Sequence, residues 1–362
     1  MHVVLAGGGT AGHIEPALAL ADALRRQDPT VGVTALGTER GLETRLVPER
    51  GYELALIPAV PLPRRPTPEL ITVPGRLRGT IKAAEQVLER TKADCVVGFG
   101  GYVALPGYLA AKRLGVPIVV HEANARPGLA NKIGSRYAAG VAVATPDSKL
   151  RNARYIGIPL RYSIATLDRA RVRPEARDAF GLDPHLPTLL VSGGSQGARR
   201  LNEVIQQAAP VLQRSGIQIL HAVGPKNEMP HVENMPGMPP YIPVPYVDRM
   251  DLAYAAADMM LCRAGAMTVA ELSAVGLPAA YVPLPIGNGE QRLNAQPVVK
   301  AGGGLLVDDA ELTAEWVQGN VLPVLADPHR LYEMSRSAAE FGRRDADNLL
   351  VGMVYEAIAA RR

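Results

Sequence analysis

Short apolar runs alternate with helix-length amphipathic stretches along the chain, the pattern of parallel sheets covered on both faces by helices. Strands are expected near residues 2–6, 31–36, 94–98, 117–121 and 140–143. Between about 157 and 187 a proline- and arginine-rich passage reads as a linker with a short helix, and strands restart near 188–192, 217–222, 258–262 and 279–283. Both halves open alike. The first runs from a strand into Gly7-Gly8-Gly9-Thr10-Ala11-Gly12 and a helix from about Pro16; the second runs from a strand into Ser192-Gly193-Gly194-Ser195-Gln196-Gly197 and a helix. An α/β fold of two Rossmann-like parallel-sheet domains is therefore expected, facing each other across a cleft with ligands at the carboxyl ends of the strands. The expected division is 1–162, 163–344, and a helix in 345–362 that packs back on the first domain.

The length of 362 residues suits two such domains. With 47% hydrophobic and 20% charged residues, there is ample material for a core and no mark of global disorder. Cys95 and Cys262 lie far apart in apolar runs without metal-ligand spacing and read as reduced core residues. The first residues lack the basic and apolar regions of a signal peptide, so a cytoplasmic protein is expected. No apolar run approaches the roughly 20 residues that span a bilayer; the best, near 252–261, contains Asp258. The net charge of +4 suits anionic partners. Aromatic residues are only 4% and no basic stretch interleaves with stacking rings, which argues against nucleic acid.

A glycine loop between strand and helix lets backbone amides meet an anion at the positive end of a helix dipole. A tight turn is the plainer reading of one such loop, and two in register favour phosphate. Gly7, Gly9 and Gly12 also satisfy the dinucleotide pattern G-x-G-x-x-G, which keeps a nicotinamide oxidoreductase in play. That alternative is weakened by Leu36-Gly37-Thr38-Glu39, where no acidic residue directly ends the next strand. A third cluster, Gly98-Phe99-Gly100-Gly101-Tyr102, is unneeded by one dinucleotide and suits a second, diphosphate-bearing acceptor.

His13 follows the first loop, where an imidazole of near-neutral pKa is suited to take a proton from an attacking hydroxyl; most isolated histidines are structural. His121-Glu122-Ala123-Asn124 closes another strand and reads either as a supporting network or as contacts to sugar hydroxyls, with Asn124 able to donate and accept. Arg161 either neutralises a diphosphate or is an exposed linker arginine. In Cys262-Arg263-Ala264-Gly265-Ala266-Met267-Thr268-Val269-Ala270-Glu271, the amides of Ala266, Met267 and Thr268 suit phosphate and Glu271 suits ribose hydroxyls. A capping box with Thr268 as N-cap and Glu271 at the third helical position fits the same spacing. Glu290-Gln291 with Asn294 falls in a glycine- and proline-rich loop, suited to reading a sugar or simply solvated.

Together these segments resemble the MurG family of bacterial peptidoglycan N-acetylglucosaminyltransferases. The resemblance covers essentially the whole chain and rests on Gly8-Gly9-Thr10-Ala11-Gly12-His13, Gly98 to Tyr102, His121 to Asn124, Gly193-Gly194-Ser195-Gln196-Gly197-Ala198 and Cys262 to Glu271, in family order. It implies a GT-B fold and an inverting transfer of GlcNAc from UDP-GlcNAc to the 4-hydroxyl of MurNAc in polyprenyl-pyrophosphoryl-MurNAc-pentapeptide, with His13 as base and no metal or other cofactor. Donor contacts are implied for Thr10, Ala11, Gly12, Asn124, Arg161, Ser195, Val247 through its backbone to uracil, Arg263, Ala266 to Glu271 (Val269 and Ala270 included) and Gln291, with Tyr246 capping the uracil. Gly100, Gly101, Tyr102, His121 and Glu122 fall to the acceptor side. Two departures are visible: Ala11 where the family often has Gly, and Glu290 where it has Gln.

The implied acceptor is lipid-anchored, so a peripheral protein on the cytoplasmic side of the cell membrane is expected. Residues 62–82 place Arg64, Arg65, Arg76, Arg78 and Lys82 among Leu70, Ile71, Val73, Leu77 and Ile81, which on sequence alone reads equally as a helix packed by its apolar side with a solvated basic face or as a basic amphipathic element on anionic lipid, the second being what the resemblance favours. Another UDP-sugar GT-B enzyme or a UDP-GlcNAc epimerase would share the donor site.

Overall fold

The computed structural model describes residues 1–59, 73–231, 234, 237–286 and 289–361. It divides into two compact units, Met1–Tyr162 with Arg344–Arg362, and Ser163–Arg343. The first unit runs β1 (His2–Gly7), α1 (Ala11–Gln27), β2 (Gly32–Gly37), α2 (Glu43–Glu49), β3 (Glu53–Leu56), α3 (Val73–Thr91), β4 (Cys95–Gly100) and α4 (Ala104–Leu114). It continues through β5 (Ile118–Glu122), α5 (Leu129–Gly134), β6 (Gly140–Val143) and β7 (Ala153–Tyr155), and α6 (Tyr162–Ala165) starts at its boundary. The second unit holds α7 (Arg169–Ala179), β8 (Thr188–Ser192), α8 (Arg199–Arg214), β9 (Gln218–Ala222), β10 (Tyr241–Val244), α9 (Met250–Ala256), β11 (Met259–Arg263) and α10 (Ala266–Val275). After it come β12 (Ala279–Val282), α11 (Glu290–Lys300), β13 (Gly304–Leu306), α12 (Ala314–Asn320), α13 (Leu322–Leu325) and α14 (Pro328–Ala339); α15 (Ala346–Ala359) belongs to the first unit.

Both sheets are parallel, ordered β3-β2-β1-β4-β5-β6-β7 and β10-β9-β8-β11-β12-β13. Central strands are apolar on both faces because helices cover both. In β1, Val3 and Leu5 join the core shared with α1 and α15, whereas Val4 and Ala6 face the core shared with α3 and α4. The register Val3↔Val33 and Val3↔Cys95 carries that alternation into β2 and β4. In α15, Leu350, Val351, Met353, Val354 and Ala357 pack into the first of these cores.

The four strands that the apolar pattern does not reveal, β3, β7, β10 and β13, are the four sheet edges. Each has three or four residues and is only partly buried, whereas β6 and β12, also of four residues, are buried almost throughout and show as apolar runs. Helix α1 begins at Ala11, not near Pro16; Pro16 is accommodated inside it, forfeiting one bond to the Gly12 carbonyl.

The passage 157–187 carries the boundary between the units at Tyr162 and Ser163, but most of it belongs to the second unit and is not a solvated stretch. It contains α7, whose arginines are braces: Arg169 donates to the carbonyls of Tyr254, Ala257 and Gly276, and Arg177, 3% exposed, donates to Asp258 at 2.9 Å and to the Ala256 carbonyl at 3.2 Å. Planar guanidinium forks bond the carbonyls that end α9, so positive charge here marks the interior and not a solvated stretch.

The expected membrane element is split. Residues 62–72 of it, including Arg64, Arg65, Leu70 and Ile71, lie outside the described residues. In α3, Ile81 is buried and Leu77 packs against the core, so these apolar positions face inward while Arg76, Arg78 and Lys82 stay exposed.

Candidate functional site

Three loops meet at the carboxyl ends of adjacent strands β1, β4 and β5, where the strand order of the first sheet reverses and ligands bind in open α/β sheets. The β1 loop places His13 in the first turn of α1, its amide bonded to the Thr10 carbonyl at 3.0 Å. Its Nδ1 lies 3.3 Å from the Gly8 carbonyl and 3.1 Å from the Thr10 hydroxyl. The Thr10 hydroxyl can donate or accept but a carbonyl only accepts, so the bond to Gly8 forms in the tautomer with the proton on Nδ1, which leaves Nε2 as the basic nitrogen. Burial lowers the His13 pKa from its usual 6.5, with the Glu122 charge and the Gly8 bond acting in the opposite direction. The imidazole is thus neutral at neutral pH, the form a general base requires.

The β4 loop supports this ring. Gly100 and Gly101 both have positive φ, +98° and +81°. A Cβ on Gly100 would lie 3.2 Å from His13 Nε2, and one on Gly101 would lie 2.2 Å from the Gly8 carbonyl oxygen. Only glycines allow the two loops to approach so closely.

The Gly9 amide, expected to greet a phosphate, is already taken. Glu43, fully buried at the start of α2, accepts from Gly9 N at 2.9 Å through Oε2 and from Thr38 N at 2.9 Å and Thr38 Oγ1 at 3.1 Å through Oε1. An internal carboxylate where a dinucleotide pyrophosphate would approach removes the ground for the nicotinamide reading.

His121 and Glu122 hold backbone and are not exposed to a ligand. His121 is fully buried and donates from Nε2 to the Gly157 carbonyl at 2.9 Å; burial pushes its pKa down to about 4. Glu122, 3% exposed, accepts from Asn124 N at 2.9 Å, Gly128 N at 3.0 Å and Asn131 Nδ2 at 2.9 Å. The buried Tyr108 hydroxyl donates to Asn131 Oδ1 at 2.7 Å, completing a network that fixes the loop carrying Asn124. Asn124, Ala11, Gly12 and Arg161 are half-buried, Thr10 is exposed, and Tyr102 is 54% exposed.

In the second unit, the β8 loop turns at Gly194 and Gly197, with φ +90° and +73°, and leaves Ser195 half-buried. Asn227 Nδ2 braces it by donating to the Gln196 carbonyl at 2.9 Å and the Val223 carbonyl at 3.0 Å. The β11 loop leads into α10 with Gly265 as N-cap, and the first intrahelical bond is Val269 N to Gly265 O at 3.0 Å. The amides of Ala266, Met267 and Thr268 therefore precede the helical ladder and point toward an incoming anion.

Thr268 lies three residues into α10, so it is not an N-cap and there is no capping box. Glu271, 6% exposed, accepts from the buried Tyr254 hydroxyl at 2.8 Å. Arg263 is committed to Asp309 at 2.5 Å and to the Val282 carbonyl at 3.3 Å, which makes it a brace of the β11 end. Glu290, Gln291 and Asn294 sit on the first turns of α11 and not in a loop, and Gln291 Oε1 accepts from Leu284 N at 2.9 Å. Tyr246 is 44% exposed beside buried Val247.

Two family models match, the glycosyltransferase family 28 N-terminal domain over residues 3–143 and the glycosyltransferase family 28 C-terminal domain over residues 188–350. The chain belongs to glycosyltransferase family 28. Among its relatives, a protein of Streptomyces avermitilis is 93% identical, covering 100% of this chain and 99% of its own, and one of Streptomyces coelicolor is 91% identical with the same coverage. Both carry the name UDP-N-acetylglucosamine--N-acetylmuramyl-(pentapeptide) pyrophosphoryl-undecaprenol N-acetylglucosamine transferase. The crystal structure of Acinetobacter baumannii MurG is similar with a TM-score of 0.79 and 30% identity, over 98% of this chain and 99% of that one. A UDP-GlcNAc 2-epimerase from Neisseria meningitidis, bound to UDP-GlcNAc, shares the fold at a TM-score of 0.69 and 15% identity, over 98% of this chain and 100% of that one. The chain is thus a hexosyltransferase of GT-B architecture.

As a family 28 member, it assembles His13, Gly100, Gly101 and Asn124 around the switch point of the first unit, and Ser195, Glu271 and the α10 amides around that of the second. Sequence reasoning missed Glu43, Asn131, Asn227 and Tyr254, which touch the site loops from other elements. For Glu43 a signal existed: a carboxylate after the glycines of Gly37-Thr38 and Gly41, which leave room for it. The other three are isolated residues without one.

Proposed function

We propose that this chain transfers GlcNAc from UDP-GlcNAc to the 4-hydroxyl of MurNAc in undecaprenyl-pyrophosphoryl-MurNAc-pentapeptide, with inversion at C1. His13 Nε2 takes the hydroxyl proton, the new bond from the acceptor O4 to C1 forms, and the bond from C1 to the UDP oxygen breaks. Charge growing on the departing diphosphate is met by the amides of Ala266, Met267 and Thr268, by Ser195 and by Arg161. Glu271 accepts from the ribose, Tyr246 and the Val247 backbone hold uracil, and Gln291 and Asn124 read the sugar. Thr10, Ala11 and Gly12 complete the donor contacts. Gly100, Gly101 and Tyr102 face the acceptor, while His121 and Glu122 shape that side from beneath and Arg263 supports the donor side.

One observation carries the proposal: a transferase sequence matched from end to end by the named Streptomyces proteins has, at the first switch point, a histidine whose Nδ1 lies 3.3 Å from the Gly8 carbonyl, a contact that, when Nδ1 donates, leaves Nε2 to act as base. UDP release from UDP-GlcNAc tests it, measured with and without a short-chain analogue of the lipid acceptor. Acceptor-dependent release that is lost in His13→Ala, with UDP-GlcNAc binding retained, supports the reading. Release indifferent to the acceptor, or a His13→Ala protein near the parent rate, sinks it.

No described helix is long and apolar enough to cross a membrane. Arg76, Arg78 and Lys82 on the exposed side of α3 would hold the protein on anionic headgroups by charge, worth about 1 kcal/mol per residue. Sedimentation with anionic liposomes should fall in Arg76→Glu/Arg78→Glu; unaltered sedimentation would rule this face out.

A further inference from the structure

We propose that Glu43 is a positioning residue for His13, acting through a single peptide group: its carboxylate accepts the N–H of Gly9 while the carbonyl of that same Gly8–Gly9 peptide accepts the Nδ1–H of His13. The inference rests on the reading of His13 as base. A peptide bond is planar and delocalised, so a negative charge against its N–H enriches its oxygen. Hydrogen bonds in series strengthen one another, and a carboxylate on the N–H edge therefore tightens the hold of the carbonyl on the imidazole. Asp in a Ser-His-Asp triad orients its histidine and steadies the imidazolium by direct contact. Here a buried carboxylate does both from one peptide away.

The surroundings are shaped for this. Thr38 fixes Oε1 with two bonds and leaves Oε2 directed at Gly9. Cβ atoms on Gly8, Gly37 or Gly41 would crowd the Glu43 side chain at 3.0, 2.6 and 1.9 Å. Glutamate is thus packed as a fixed part of the loop, and the loop places a histidine where its sequence suggests a phosphate. Around the His13 ring, the β5 side contributes the charge of Glu122, the β4 loop contributes Gly100, and its own loop contributes the Thr10 hydroxyl. All of these remain when Glu43 alone is changed.

The test uses the full chain with isotope-labelled histidine. NMR should find the His13 proton on Nδ1 in the parent. In Glu43→Gln, which removes the charge and keeps one accepting oxygen while its NH2 faces the other backbone N–H, the imidazolium loses support and the His13 titration should move down by about half a unit. The acid limb of kcat should move with it, kcat should fall about three- to tenfold, and KM for UDP-GlcNAc should stay at the parent value. In Glu43→Ala, added formate should restore kcat and the titration together by occupying the vacated amides. An unchanged His13 titration in Glu43→Gln, or a parent proton on Nε2, would overturn the relay, as would a loss confined to KM. A parent that shows the NMR behaviour yet releases no UDP with acceptor would refute the transferase reading and leave the relay standing.

Discussion

Replacing Gly101 by alanine separates two costs that most glycine substitutions mix. Gly101 and Gly115 both adopt left-handed conformations, with φ of +81° and +65°, so alanine at either meets about 1–2 kcal/mol of backbone strain. Around Gly115, the C-cap of α4, an added Cβ finds nothing within 4 Å; on Gly101 it lands 2.2 Å from the Gly8 carbonyl oxygen. Reaching ordinary contact at 3.4 Å requires the two loops to part by 3.4 − 2.2 = 1.2 Å. That oxygen is also the acceptor for His13 Nδ1. A misplacement of about 1 Å at a catalytic group costs on the order of 10²-fold in rate. Gly115→Ala should therefore lower the urea midpoint by an amount matching strain alone and leave kcat intact, whereas Gly101→Ala should lose kcat by about that factor while remaining folded. Steady-state UDP release and urea unfolding on both variants check this. Equal kcat values for the two would refute the idea that contact between the β1 and β4 loops sets the histidine.

Asp258→Ala should destabilise the protein by about 3–5 kcal/mol, because it removes the carboxylate paired with buried Arg177 and half-buried Arg173, leaves them only carbonyl partners, and takes the acceptor from Thr188 N; a urea-derived loss below about 1 kcal/mol would disprove the brace. Tyr254→Phe removes the donor to buried Glu271 and should reduce stability by about 1–3 kcal/mol and raise KM for UDP-GlcNAc. A normal KM beside that stability loss would show that Tyr254 does not orient a ribose ligand. Burial lowers His121 and His221 to about 4 from 6.5, so between these values the unfolded chain binds more protons and stability rises with pH. On acidification from pH 6.5 to 4 each contributes a loss of up to about 1.4 kcal/mol per pH unit. His221→Gln should flatten that slope, and an unaltered slope in urea midpoints would contradict the assignment.

The sequence makes the centres of both sheets legible and hides their rims. Val3 to Ala6 and Thr188 to Ser192 are continuous apolar or small-residue runs because helices cover both faces, whereas Glu53–Leu56 and Gly304–Leu306 are short edges with mixed exposure. The arginines of α7 mislead for a related reason: composition registers their charge but not the carbonyls of Tyr254, Ala257 and Gly276 that accept from Arg169. His13 is legible because a strand, a glycine turn and a helix start fix its place. Its partners are less so, since the bond from Gly9 to Glu43 joins residues from different loops. His121 and Glu122 look chemical in sequence, but their bonds to Gly157, Gly128 and Asn131 make them scaffolding.

The two glycine loops show how similar sequences take different physical roles. Both follow the first central strand of a parallel sheet and turn through positive-φ glycines. In the first, a buried carboxylate binds an amide, so the loop has its own counter-charge and an additional phosphate at Gly9 would meet repulsion as well as an occupied donor. In the second, the brace is the neutral Asn227 amide, which bonds the Gln196 carbonyl and brings no negative charge against the loop. On the proposed assignment, the polarity of these braces, and not the glycine spacing, would separate the loop that carries His13 from the one that meets the diphosphate. A carboxylate introduced as Asn227→Asp would abolish the difference: it cannot donate to Gln196 and would set a charge beside the donor loop, so UDP should stabilise that variant less than the parent in thermal unfolding. Equal stabilisation by UDP would mean that the β8 loop does not meet the diphosphate.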